Sequence, residues 1–259
     1  MPEILEIEQY RRHAEPAVGR TIAAVAAPDG WYLKGGLDVR TVRRELTGRS
    51  ILAARRRGKL LVLDTDGPRL GLRFGMTGRL LLDGGAAIER LEYSSDRNDP
   101  AWDRFGLTFT DGGSMLMRDP RRLGGVELDP DEDALGVDAW SIRPAQMRDA
   151  LATSTTALKA RLLDQSRIAG LGNLLVDEIL WRSGLAPTRP ARSLDANELR
   201  RLHRHRGRVL DQLFERGGSH CGDLHEHRRR GGTCPRDGST LRRETVGGRT
   251  TYWCPAHQR

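Results

Sequence analysis

Cysteine and lysine are both scarce in this 259-residue chain, and long apolar runs are missing. No stretch approaches the roughly 18 apolar residues that a membrane-spanning helix needs. The opening Met1-Pro2-Glu3-Ile4-Leu5-Glu6 has neither the basic start nor the apolar core of a secretory signal, so a cytosolic location is expected. Internal repeats and low-complexity blocks are absent too. With three cysteines in a reducing compartment, cysteines paired around turns favour a metal over a disulfide, with free thiols as the plainer alternative.

Arginine is abundant. Lys+Arg number 43 against 35 Asp+Glu, a formal charge of +8. Guanidinium groups suit bidentate phosphate contact, so the partners expected are polyanions, nucleic acid ahead of a membrane surface. An arginine bias in genomic composition would produce the same count. The length allows two modest domains with a sizeable core.

The pattern changes along the chain. Ile4, Ile7, Tyr10, Ala14 and Val18 sit at helical spacing over Glu3 to Val18. From Thr21 to Gly125 short apolar runs take over: Ile51–Arg56, Leu60–Asp64, Leu70–Phe74, Leu80–Leu82, Leu107–Phe109 and Met115–Met117. Asp-Gly turns such as Asp66-Gly67-Pro68 separate them, which predicts an antiparallel β-sandwich or barrel. After Asp129-Pro130 the period is helical at Ala145–Leu151, Ala157–Leu163, Leu174–Ser183 and Ala196–Phe214. Arg228-Arg229-Arg230-Gly231-Gly232 reads as a flexible basic loop. The expected fold class is α+β multidomain, with residues 1–128, 129–218 and 219–259 as its three parts.

The last part carries the most specific motif. Cys234-Pro-Arg-Asp237 and Cys254-Pro-Ala-His257 flank a hairpin holding Arg242, Arg243, Arg249, Tyr252 and Trp253. Two turns each offering a pair of ligands fit one structural zinc ion in a ribbon. Cys234, Asp237, Cys254 and His257 are the candidate ligands, with His225 or His227 as replacements for Asp237, and Cys221 is unassigned.

Other motifs are moderate singly. If Met1 is removed, Pro2 presents a free secondary amine, and an α-amine with a reference pKa of about 8 keeps a useful neutral fraction at neutral pH. Attack on a sugar aldehyde carbon gives an iminium, an electron sink that acidifies the neighbouring C–H and permits β-elimination. Glu3 and Glu6 are candidates to move the protons. The plainer reading of Pro2-Glu3 is a good helix start. Arg55-Arg56-Arg57-Gly58-Lys59 is a basic turn in which Lys59 could reach a phosphate, or a solvated hairpin. Gly75-Met76-Thr77-Gly78-Arg79 and Asp119-Pro120-Arg121-Arg122-Leu123-Gly124 present apolar tips beside arginines, suited to filling the gap left by an extruded base, or simply to the core. Gly170-Leu171-Gly172-Asn173 reads as a tight turn in which Asn173 caps the next helix and leaves its amides for a phosphate, or, more plainly, as a helix–helix connection alone. Asp177 and Glu178 read as structural acids.

Taken in order, these motifs resemble the formamidopyrimidine-DNA glycosylase/endonuclease VIII family over essentially the whole chain. The resemblance rests on Met1-Pro2-Glu3 with Glu6, Gly58-Lys59, Gly75 to Leu80, Asp119 to Gly124, Asp164-Gln165, Ala169 to Asn173, Asp177 to Leu180 and the terminal ribbon. It implies an N-terminal β-sandwich, a helix–two-turn–helix domain and a zinc finger. It also implies a bifunctional DNA glycosylase/AP lyase acting as a monomer on damaged double-stranded DNA in a bacterial cytoplasm, near the nucleoid. Pro2 would be the Schiff-base nucleophile, Glu3 the proton donor and acceptor, and Glu6 a match to a family glutamate beside them. Lys59 would contact DNA near the lesion, and Asn173 and Arg249 would clamp phosphates. Met76 and Arg121, with Leu123 as wedge, would fill the emptied helix. Leu5, Arg73 and Leu123 stand where the family usually has proline, histidine and phenylalanine, so an oxidised purine is not assumed as the lesion. An endonuclease VIII-like preference for oxidised pyrimidines and a non-catalytic or lyase-only damage-binding paralogue are the rivals. A zinc-ribbon module of transcription type leaves the N-terminal motif unexplained.

Overall fold

A computed structural model describes every residue except 1, 89, 90, 92–96 and 98, so Met1 lies outside the described residues. The chain divides into two compact units, one of residues 1–2 and 6–132, the other of residues 3–5 and 133–259. No described helix is long and apolar enough to cross a membrane.

The first unit is an antiparallel sandwich. One sheet has the order β1 (Ile22–Ala26), β7 (Asp103–Phe109), β8 (Ser114–Arg118), β5 (Arg79–Leu82), β6 (Gly85–Ala86). The other runs β2 (Ile51–Arg57), β3 (Leu60–Thr65), β4 (Leu70–Arg73), β9 (Gly125–Leu128). Alternate residues point inward, so Val25, Leu107 and Met115 of one sheet share a core with Leu61, Leu63 and Leu72 of the other. The helix α1 (Ile4–Ala14) lays Tyr10 on this core, its ring 4.4 Å from that of Phe74. The Tyr10 hydroxyl donates to the Gly78 carbonyl at 3.0 Å. Among the described residues, α2 (Val39–Leu46) and the 3₁₀ turns Gly30–Tyr32 and Pro100–Trp102 depart from the β pattern expected over Thr21–Gly125. Asp38 caps α2 by accepting from the Thr41 amide at 2.7 Å, and Val42 and Leu46 form its buried stripe.

In the second unit a short parallel pair, β10 (Val137–Asp138) with β11 (Ile168–Ala169), accompanies four helices. These are α3 (Pro144–Leu151), α4 (Leu158–Leu163), α5 (Asn173–Ser183) and α6 (Ala196–Glu215). Helix α5 is buried on nearly every side, its polar Asp177 and Glu178 included, and these are paired. It stops at Gly184, whose φ of +65° is open to glycine at little cost. Asp195 and Glu198 form a capping box at the start of α6, an arrangement worth about 1 kcal/mol. The chain closes with the hairpin β12 (Arg242–Val246) and β13 (Arg249–Trp253), joined by Gly247-Gly248. Trp181 of α5 packs in a small core with Leu224, Cys234, Leu241 and Cys254.

The stretch 228–232 is not a solvated basic loop throughout. Arg228 is drawn inward by Asp177, to which its Nη2 donates at 2.9 Å, and only 8% of its side chain is exposed.

Candidate active site and metal cluster

Glu3 is fully buried, and its carboxylate sits at the start of α5. Its Oε2 accepts from the amides of Gly172 (2.8 Å) and Leu175 (3.2 Å), and its Oε1 from that of Leu174 (2.8 Å). Three amide donors at the positive end of a helix fix the carboxylate in place. The two glycines of Gly170-Leu171-Gly172 make room for this. A Cβ at residue 170 would stand 2.6 Å from Ile4 Cδ1, and one at residue 172 would overlap the Glu3 carboxyl carbon. The Ile4 amide donates to the Gly170 carbonyl at 3.0 Å.

This corrects the reading of Asn173. It is the first residue of α5 rather than its cap, Gly172 holds the cap position without a side chain, and Glu3 has taken amides assigned above to a phosphate. The Asn173 side chain instead donates to the Thr250 carbonyl at 3.1 Å, next to Arg249. The two residues implied as a phosphate clamp are therefore neighbours.

Behind them lies a buried ionic knot. The Lys159 ammonium donates to Asp177 at 2.6 Å and to the Thr250 carbonyl at 3.3 Å, and both charged side chains are at most 1% exposed. Arg228 binds the other oxygen of Asp177. Burial pushes the Lys159 ammonium below its ordinary range, and the Asp177 charge and hydrogen bond oppose that shift. Glu178 holds Arg182 (2.6 Å) and the amide of Leu224 (2.9 Å). Both acids are structural, as their place in α5 led us to expect. Sequence reasoning missed Lys159, although the rarity of lysine in this chain was a usable signal.

Lys59 lies in the tight turn between β2 and β3, where Gly58 has a φ of +56° and its carbonyl accepts from Arg56 at 3.2 Å. Glu6 is buried on the first turn of α1. Pro2 is buried as well.

Met76, Arg121 and Leu123 come together in the first unit, and Asp119 is the reason. Its Oδ1 accepts from the Thr77 hydroxyl (2.5 Å) and the Arg121 amide (3.2 Å), and its Oδ2 from the Gly124 amide (2.8 Å). One buried carboxylate thus ties the turn carrying Met76 to the turn carrying Arg121 and Leu123. The Arg121 guanidinium stands 3.8 Å from the Met76 sulfur. Leu123 is 49% exposed, so it is a projecting tip and not a core residue. Arg73, at the usual histidine position, is engaged with Glu127 at 2.7 Å.

Cys234, Asp237, Cys254 and His257 place their ligand atoms within 4.8 Å of one another. His225 and His227 are not in this group, so Asp237 keeps the place for which they were alternatives. The surroundings aim each donor. His257 Nε2 can only donate to the Trp181 carbonyl (3.2 Å), which leaves Nδ1 as a lone-pair donor, 2.9 Å from Asp237 Oδ2. The Ser239 hydroxyl and amide hold Asp237 Oδ1 (2.5 and 2.9 Å) and leave Oδ2 turned inward. Cys234 Sγ accepts from the Trp181 indole N–H (3.3 Å) and the Arg236 amide (3.4 Å), bonds suited to a thiolate. Two sulfurs, an imidazole and a carboxylate fit a closed tetrahedral ion. Cys221 is half-buried and lies outside this group.

Residues 1–126 match the family model described as formamidopyrimidine-DNA glycosylase N-terminal domain, and residues 135–223 match its H2TH domain. The formamidopyrimidine-DNA glycosylases of Geobacillus kaustophilus and Methylocella silvestris are 31% and 34% identical to this chain, with 100% of both chains covered in each case. Wild-type Lactococcus lactis Fpg, solved with DNA containing N7-benzyl-Fapy-dG, superposes with a TM-score of 0.83 at 26% identity over 100% of both chains. The same protein on abasic-site DNA gives 0.82 at 25% identity over 99% of each.

Proposed function

The chain belongs to the formamidopyrimidine-DNA glycosylase family, and on that premise we propose how its own residues perform the family's reaction. It is a base-excision-repair DNA glycosylase with AP lyase activity. The Pro2 amine attacks C1′ of the damaged nucleotide, the C1′–N bond to the base breaks, and the sugar ring opens as an iminium forms. Loss of a C2′ proton then expels the 3′-phosphate, a second elimination expels the 5′-phosphate, and water releases the sugar remnant from Pro2.

The single observation behind the assignment of roles is the Glu3 carboxylate on three backbone amides. That cradle supports Glu3 as the fixed group that takes up a proton as the amine attacks and returns it to the opening sugar oxygen. Pro2 precedes it directly, and Glu6 is the further acid of the same N-terminal motif. Lys59, Asn173 and Arg249 are the phosphate contacts of this reading. Met76, Arg121 and Leu123 fill the duplex where the nucleotide leaves it. Flipping costs a few kcal/mol, least for a weakened pair, which is one source of lesion selectivity.

We assign zinc to Cys234, Asp237, Cys254 and His257, where it would hold the two turns that carry the Arg249 hairpin. The same reading treats residues 1–128, 129–218 and 219–259 as catalytic, helix–two-turn–helix and finger parts. The enzyme acts as a monomer on damaged double-stranded DNA in the bacterial cytoplasm, at the nucleoid.

Borohydride trapping on a duplex with one abasic site tests the nucleophile, with intact mass establishing that Met1 is gone. A covalent adduct that disappears when Pro2 is replaced by glycine with a blocked terminus is the result expected. No adduct from a correctly processed terminus would overturn it.

A further inference from the structure

Trp31 is 69% exposed, more than any other large hydrophobic side chain among the described residues, and Leu123 at 49% belongs to the same short group. A single carboxylate joins their two turns. Asp29 Oδ1 accepts from the Trp31 amide (3.2 Å) and from Arg122 Nη2 (2.7 Å), and its Oδ2 accepts from Arg122 Nε (2.6 Å). Arg122, with a φ of +57°, is the residue immediately before Leu123. Leu33 bridges Val126 in parallel register, and the Lys34 amide donates to the Val126 carbonyl at 2.8 Å. On one side of this bridge lies the single 3₁₀ turn Gly30–Tyr32, which holds Trp31, and on the other lie Leu123 and Gly124. Gly124 has no Cβ because one would overlap the Tyr32 hydroxyl.

We propose that Trp31 is a further DNA contact of this enzyme, an aromatic platform that stacks on a base of the strand opposite the lesion, next to the gap that Leu123 wedges. The proposal rests on the reading of Met76, Arg121 and Leu123 given above. A tryptophan that only covered the core would bury its ring. This one has its backbone fixed by Asp29 and by the Lys34 ammonium, which donates to the Trp31 carbonyl at 2.8 Å, while the indole stays open. The Lys34 ammonium also lies over the ring, 5.1 Å from its centroid, so a cation holds one face of the indole and leaves the other for a base. An exposed aromatic ring with its backbone held and a lysine cation over it fits a nucleobase with its phosphate. Continuity with the turn that meets the orphan base argues for DNA over a protein partner. A leucine wedge fills less space than an aromatic one, so a second apolar contact beside it supplies contact area that Leu123 does not.

The test measures dissociation constants for a duplex carrying a tetrahydrofuran abasic analogue, which binds but forms no Schiff base. Wild type is compared with Trp31→Ala, Trp31→Phe, Arg121→Ala and Leu123→Ala, and thermal unfolding checks that each variant folds. Trp31→Ala should bind about tenfold more weakly, while Trp31→Phe stays within about threefold. The loss should vanish on one member of a duplex series in which bases of the opposite strand are removed singly around the orphan position. If Arg121→Ala and Leu123→Ala weaken binding and Trp31→Ala does not, the proposal fails and the site reading stands. If all bind as wild type, both fail. A Trp31→Ala penalty that persists across the whole base-deleted series also overturns stacking on a base.

Discussion

The Glu3 carboxylate occupies the space that a side chain at Gly172 would need, and it accepts the Gly172 amide at 2.8 Å. Two motifs separated by most of the chain are therefore one piece of machinery. Gly172→Ala should drive the carboxylate off its amides and lower single-turnover strand cleavage about 100-fold. Loss of the cap should cost the helix about 1 kcal/mol. Binding to an abasic-analogue duplex should change little, because no phosphate contact is touched. Cleavage at the wild-type rate would mean that the cradle does not position Glu3.

The Lys159–Asp177 pair predicts an asymmetric double-mutant cycle. Asp177→Ala leaves the Lys159 ammonium buried beside Arg228, and removing one partner of a buried pair costs about 3–5 kcal/mol. Replacing both, as Lys159→Met with Asp177→Leu, should restore part of that stability, since Arg228 still loses its carboxylate. Denaturant unfolding of the four proteins measures it, and additive losses would refute the coupling.

The cycle also marks how far the sequence could be read. Strands and helices are legible where the apolar pattern is unbroken, a continuous run in β3, which is buried on both faces, and a stripe in α6, which is buried on one. Helix α2 was lost inside a β-rich stretch, although Asp38 followed by Val42 and Leu46 carried a cap and a stripe. The chemistry-bearing residues were legible because their types and spacing are dictated by the reaction and by the metal. Their partners were not. Gly170-Leu171-Gly172-Asn173 looked like a vacant anion site because nothing local says that Glu3, some 170 residues earlier, fills it. The roles of Asp119 and Lys159 are hidden for the same reason: Asp119 holds Thr77, 42 residues away, and Lys159 holds Asp177 and Thr250, 18 and 91 residues away.

The Asp29–Arg122 pair gives a pH dependence. Hydrogen bonds from Arg122 hold the Asp29 carboxyl below its ordinary range, with burial opposing them. A depressed folded-state pKa means that the contribution is complete above the unfolded value, about 4, and fades as pH falls through the folded value. Asp29→Asn should therefore melt about 2 °C below wild type at pH 7, and the difference should shrink steadily as pH falls below about 4. A difference unchanged across that range would assign the effect to packing, not charge.

Arg249 lies on the exposed start of β13, beside the Asn173 side chain. If it neutralises one phosphate, Arg249→Ala should weaken binding to every duplex alike. The slope of log K against log salt should become shallower by about 1. Fluorescence titrations between low and moderate salt give the slope, and an unchanged slope would remove Arg249 from the clamp.

Metal removal should separate the two units. The cluster of Cys234, Asp237, Cys254 and His257 holds both turns that flank the Arg249 hairpin, and Trp181 donates to one of its sulfurs. Chelation should therefore abolish DNA binding and shift Trp181 emission, while the sandwich, which contributes no ligand, keeps its unfolding transition. Asp237 is the hardest donor of the set, so it also offers a finer test. Asp237→Ala should lower zinc content below one ion per chain, whereas Asp237→Cys supplies a thiolate that suits zinc and should retain it. Metal analysis with and without chelator, read beside the emission shift, distinguishes these outcomes. A chelated protein that binds DNA normally would show that the hairpin stands without its ion.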